Sequence, residues 1–253
     1  MLRSGNPALK DATFLDLSTG TVVSRDGDAM TLNGTVNKTG LLLLLAVITA
    51  AFAWNNVQVG PGGAPANLGP YLWGGLIGGL VFAFATIFKK TWAPVTAPLY
   101  ALFEGLFLGA ISAVYDARFD GIVLQAVMLT GGTLFTLLFA YRSGLIRATE
   151  NFKLGVVAAT GGVALIYLAT IVLGMFGINV PYIHESGLIG IGFSLAVVVI
   201  AALNLVLDFD FIESGVEQGA PKYMEWYGAF GLMVTLVWLY VEFLRLLSKL
   251  QSR

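Results

Sequence analysis

Seven long apolar blocks run through this chain with almost every charge pushed to their edges, and no other feature restricts the fold so tightly. A spanning helix needs about 20 apolar residues at 1.5 Å rise each, so seven use about 140 residues. A chain of 253 residues holds them with room for loops. Only 11% of the residues are charged, against roughly 25% in ordinary soluble domains. In hydrocarbon each backbone group must be hydrogen-bonded within its own segment, and nothing here alternates as barrel strands do. The reading is an all-α integral membrane protein with seven transmembrane helices.

The spans fall near 40–54, 71–88, 98–115, 122–141, 152–176, 187–207 and 223–247. Together they make a membrane domain over 39–250, preceded by a polar tail at 1–38 with no apolar core of a signal peptide. Asn33-Gly34-Thr35 and Asn37-Lys38-Thr39 match a glycosylation pattern, which we take as chance in a cytoplasmic tail. Lys and Arg counts set the orientation. With the N-terminus inside, the inner segments hold ten (Arg3, Lys10, Arg25, Lys38, Lys89, Lys90, Arg142, Arg147, Lys153, Lys222) and the outer ones four (Arg118, Arg245, Lys249, Arg253). Glycines four apart (Gly74 and Gly78, Gly75 and Gly79, Gly105 and Gly109) let helix backbones approach closely, and we read them as packing positions.

Composition removes several function classes. There is no cysteine, so disulfides, zinc–thiolate sites and thiol catalysis are excluded. His184 is the single histidine and falls in a loop, which leaves no histidine metal cluster and no nucleophile–base pair; an enzyme is not expected. No apolar block contains a lysine for a retinal Schiff base, and there is no phosphate-binding glycine loop with its lysine. The formal charge of −1 gives no reason to expect nucleic acid as a partner.

That leaves the acids. An ionisable group inside a span costs at least a few kcal/mol and survives where it lines a cavity, pairs, or moves a proton or ion. Glu104 lies within the third span and reads equally as polar glue between helices or as a functional site. Asp208, Asp210 and Glu213 cluster where the sixth span ends. Asp210 and Glu213 share a helical face, with Asp208 and Ile212 on another. A solvated acidic helix end accounts well for Glu213 and less well for Asp208, which follows twenty apolar residues. Glu242 sits in apolar sequence with Arg245 three residues on. A local ion pair with a snorkelling arginine is one account, and a carboxylate facing a central cavity is the other and the one preferred.

Three segments carry a resemblance: Asp208-Phe209-Asp210-Phe211-Ile212-Glu213, then Gly219-Ala220-Pro221-Lys222-Tyr223-Met224-Glu225-Trp226-Tyr227, then Tyr240-Val241-Glu242-Phe243-Leu244-Arg245-Leu246-Leu247. They resemble the bacterial branch of the Bax inhibitor family, the transmembrane Bax-inhibitor-motif proteins. Phe103-Glu104-Gly105 and the stretch from Gly34 to Leu45 look similar too. The resemblance implies a seven-helix bundle of the inner membrane with its last helix central, and a pH-sensitive calcium leak. In it a carboxylate ending the sixth span and one in the seventh share a proton and latch the pore; by motif these are Asp208 and Glu242, the latter in place of a more usual Asp. They would also contact calcium in passing, calcium being a permeant ion rather than a cofactor. Asp210, Glu213 and Glu104 would lie along the ion pathway or at its mouth.

One mismatch stands in the spacing. With a turn near Gly219-Ala220-Pro221, Asp208 lies roughly ten residues before it and Glu242 about twenty after, a difference of about 15 Å in depth. Either the connection folds back, or Asp208 pairs with another acid such as Glu225, while Arg245 pairs with Glu242. The expected partners are the bilayer and calcium or protons. Two other classes stay open: a non-transporting partner of membrane proteases or stress factors, and a proton-coupled transporter using Glu104 and Glu242.

Overall fold

The computed structural model describes residues 29–59, 65–177 and 187–252. His184 and most of the expected N-terminal tail lie outside them. Seven helices are long and apolar enough to cross a membrane. They are α1 (Leu32–Asn56), α2 (Leu68–Phe88), α3 (Ala93–Asp116), α4 (Ile122–Arg142), α5 (Glu150–Met175), α6 (Leu188–Glu217) and α7 (Met224–Gln251). A 3-10 turn (Lys90–Trp92) leads into α3, and a two-residue ladder, β1 (Gln58–Val59) with β2 (Pro65–Ala66), lies between α1 and α2.

The polarity of the molecule is inverted relative to a soluble protein. Leu44, Val47, Ile48 and Phe52 on α1, and Trp73, Ile77, Val81 and Phe84 on α2, all stand exposed. A water-soluble monomer rarely shows apolar patches of that extent, whereas lipid covers them without penalty. The last helix is the most enclosed: 61% of its apolar window is buried, against 11 to 44% for the other six.

Several helix ends differ from the sequence reading, each for a local reason. Helix α1 begins at Leu32, not near residue 40, because Thr31 caps it and accepts a hydrogen bond from the Gly34 amide at 3.0 Å. Both glycosylation-like triplets are therefore helical, and Lys38 belongs to a span. Pro98, expected at a helix start, lies inside α3; spanning helices tolerate the lost hydrogen bond when neighbours satisfy the freed carbonyl. Helix α6 runs ten residues past its expected end, to Glu217. It closes with Gly219 at φ +65° and a bond from the Ala220 amide to the Gly215 carbonyl, before Pro221 prevents continuation.

The chain divides into two compact units. One holds Leu124–Asp210 with Thr235–Arg253; the other holds the described residues up to Val123 with Phe211–Val234. In the second unit, glycines bring α1, α2 and α3 together. A side chain at Gly75 would meet the Phe107 backbone amide at 2.5 Å. At Gly105 it would strike Ala46 and Thr49, and at Gly109 Ala50. Gly74, by contrast, faces open space and takes no part in packing. Gly105→Leu should therefore separate α1 from α3 and abolish the folded monomer in detergent. Gly74→Ala should be neutral or stabilise by up to about 1 kcal/mol, since alanine is the better helix former. Thermal unfolding of the two variants in parallel checks the contrast.

Candidate functional site

The first unit carries a file of polar side chains along three helices. On α5, Lys153, Thr160 and Tyr167 recur every seven residues with buried Val156 and Val163 between them, so all five share one helical face. That spacing places successive polar groups about 10.5 Å apart along the axis. Each meets a different partner. Lys153 Nζ lies 2.6 Å from Asp210 Oδ2, and the Asn204 amide donates to Thr160 Oγ1 at 2.8 Å. The Tyr167 hydroxyl donates to Glu242 Oε1 at 3.0 Å.

Glu242 is 1% exposed, and Arg245, one turn on, contacts both of its oxygens at 3.0 and 3.3 Å. Arg245 Nη1 also reaches the Tyr167 hydroxyl at 2.5 Å, and its guanidinium stands 5.0 Å from that ring's centre. The result is a three-membered cluster of carboxylate, phenol and guanidinium across α5 and α7. Asp208 is 0% exposed, one turn beyond Asn204 on α6. Counted from the turn, Asp208 lies nine residues before the end of α6 and Glu242 eighteen after the start of α7.

The expectation that the spans hold no lysine fails at Lys249. Counted in the sequence among the outer C-terminal charges, it lies within α7, which continues to Gln251, and it is 5% exposed. Its ammonium donates to the Gly190 carbonyl at 3.0 Å and the Ser194 hydroxyl at 2.8 Å, both on α6. Glu242, Arg245 and Lys249 are spaced by three and four residues and so form one stripe on α7.

The second unit holds two further acids. Glu225, in the first turn of α7, is 0% exposed and fully engaged. It accepts from the Thr31 amide at 2.9 Å, the Thr31 hydroxyl at 2.8 Å and the Lys38 ammonium, and Lys222 lies at 3.3 Å. Its carboxylate occupies the space over Gly34 where any side chain would stand. Its position in the first turn of a helix further favours the negative charge. Glu104 is hydrogen-bonded to Tyr100 one turn back and lies against Gly79 of α2, so it binds α3 to its neighbour.

Asp210 faces Lys153 in an ion pair, while Glu213 is exposed. Among the described residues no three His, Cys, Asp or Glu side chains gather to hold a metal. Sequence reasoning missed Tyr167, Lys153, Lys38 and Lys249. The seven-residue recurrence on α5 and the spacing of three and four on α7 were the signals that could have found them.

A family model described as Bax inhibitor 1 like matches residues 6–252. The chain belongs to this family. No curated protein and no solved structure matches it. The match covers both units of this Bax inhibitor family member and every acid discussed above.

The Glu225 cluster yields a test. Glu225→Gln leaves Lys38 without its buried counter-charge and should lower stability on the order of 3 kcal/mol. Gly34→Ala should destabilise as well, although alanine normally strengthens a helix, because its methyl displaces the carboxylate. Equilibrium unfolding in detergent micelles measures both; a stabilised Gly34→Ala would contradict the packing described.

Proposed function

We propose that this protein is a pH-sensitive passive leak for calcium or related cations in a bacterial plasma membrane, with its N-terminus cytoplasmic, gated by protonation of Asp208 and Glu242. The observation that supports the reading is the near-complete burial of these two carboxylates on membrane-length helices in a member of the Bax inhibitor family. Groups so placed are kept for ion or proton traffic more often than for stability.

The geometry around Glu242 is what supports a gate at this residue. Its charge holds Arg245, and its oxygen receives the Tyr167 hydroxyl. A proton on Glu242 removes the charge that retains Arg245, and the guanidinium is then free to leave the stripe. Cations pass weakly bound through sparse carboxylate oxygens, since several hard oxygen ligands would be needed to trap calcium. Asp210 and Glu213 lie further along α6 towards Glu217; exposed Glu213 would draw cations to the mouth, with Asp210 contributing when its pair with Lys153 opens.

The test is calcium influx into proteoliposomes carrying the purified protein, scanned from about pH 5 to about pH 8, the range in which buried carboxyls titrate. Asp208→Asn and Glu242→Gln should each alter the flux and flatten its pH dependence. Unchanged flux at every pH in Asp208→Asn removes that residue from the gate. Flux no greater than in empty liposomes, for the unaltered protein at any pH, overturns the leak and favours a non-transporting partner protein.

A further inference from the structure

A proton on Glu242 neutralises one of the two side chains that hold the Arg245 guanidinium; the other is Tyr167. The Tyr167 hydroxyl donates to Glu242 Oε1 at 3.0 Å and accepts from Arg245 Nη1 at 2.5 Å. A hydroxyl carries one proton and two lone pairs, so it can serve an acid and a base at once. The ring adds a second hold, since the guanidinium stands 5.0 Å from its centre, within reach of a cation–π contact. The ring is itself braced from α6, where Phe193 meets it edge to face with 6.1 Å between centroids. Around this cluster the unit is sparse in ionisable groups. Helix α4 carries none before Tyr141, and α6 none before Asp208. On α5, Lys153 is fourteen residues from Tyr167, about 21 Å along the axis. On α7, Arg245 and Lys249 act on Glu242, which also has a hydrogen bond with Trp238.

We infer that Tyr167 is the positioning residue of the gate, a clasp that keeps Arg245 against Glu242 and sets the acidity at which the two part. Its effect on conduction rests on the leak reading above, whereas its hold on Arg245 rests on the cluster alone. The hydroxyl donates to the charged form of Glu242, and a hydrogen bond to the charged form favours that form. Its bond from Arg245 remains when the carboxylate has been neutralised, so the arginine does not leave on the first proton unopposed. Removing the hydroxyl cancels both effects. The cluster then opens in weaker acid, and only the ring face is left to retain the guanidinium.

Tyr167→Phe tests this, because it removes the hydroxyl and keeps the ring. In proteoliposomes its calcium flux should respond to acid about one pH unit higher than that of the unaltered protein, with the same maximum. A merely weakened fold would lower the maximum and leave the midpoint where it was. The second readout needs no conduction. Arg245 is 30% exposed, so phenylglyoxal reaches it, and its modification in detergent at one alkaline pH is followed by mass spectrometry. Glu242→Gln serves as the reference for a released arginine. Tyr167→Phe should speed the modification about fivefold, and Tyr167→Leu, which lacks the ring as well, further still. Raised reactivity together with the upward shift in pH response supports the clasp. Unchanged reactivity in Tyr167→Phe overturns it, whatever the flux does. Raised reactivity with an unmoved pH response overturns its part in gating. If Glu242→Gln itself leaves Arg245 protected, the arginine is not held by this cluster and the inference falls. Raised reactivity in Tyr167→Phe, when the unaltered protein passes no calcium at any pH, keeps the clasp and ends the leak reading.

Discussion

Hydrocarbon offers a polar side chain no hydrogen bond, and most of what is distinctive in this structure follows from that single constraint. The apolar surface needs no interior here, because lipid receives it. What must be enclosed instead is the small set of charges within the spans, and each recruits its neighbours. Lys153 meets Asp210, Glu242 meets Arg245 and Tyr167, Glu225 meets Lys38 and Thr31, and Lys249 meets a carbonyl and a hydroxyl. Helices that gain nothing by hiding leucine from lipid are held together by these contacts and by close glycine approaches.

The seven spans were legible because length and apolarity are coarse properties that survive any arrangement of the helices. Their boundaries were less so. Helix α6 passes Asp208, Asp210 and Glu213 without stopping, since a helix entering the interface carries acids as readily as any soluble one, and its end is set by Gly219. The Glu242–Arg245 pair was visible too, because both members lie on one helix. The fate of Glu225 was not: its partners are 187 and 194 residues away in sequence, and no local pattern announces a contact of that range. Lys249 was misplaced for a simpler reason. It follows the last apolar run, where a lysine reads as an interfacial anchor, and in the folded protein Gly190 and Ser194 on another helix receive its ammonium.

The two acids that the family resemblance pairs stand on different helices. Glu242 is built into a cluster with a phenol and a guanidinium, and Asp208 is fully buried on α6 one turn beyond Asn204. A proton shared between two carboxylates and a carboxylate held by an arginine respond differently to acid. In the first, the proton itself is the bond; in the second, the proton breaks one. In this chain Glu242 has its arginine, Arg245, one turn away.

The fastening of Glu225 to Lys38 bears on how the protein is made. A ribosome delivers the first span long before the last, so Lys38 must wait through the synthesis of five further helices before its counter-charge emerges. Until then the start of α1 carries an ammonium without the carboxylate that neutralises it in the folded protein. The contact that fastens the start of α1 is thus completed only when the start of α7 has been made, so a chain cut short before α7 lacks it.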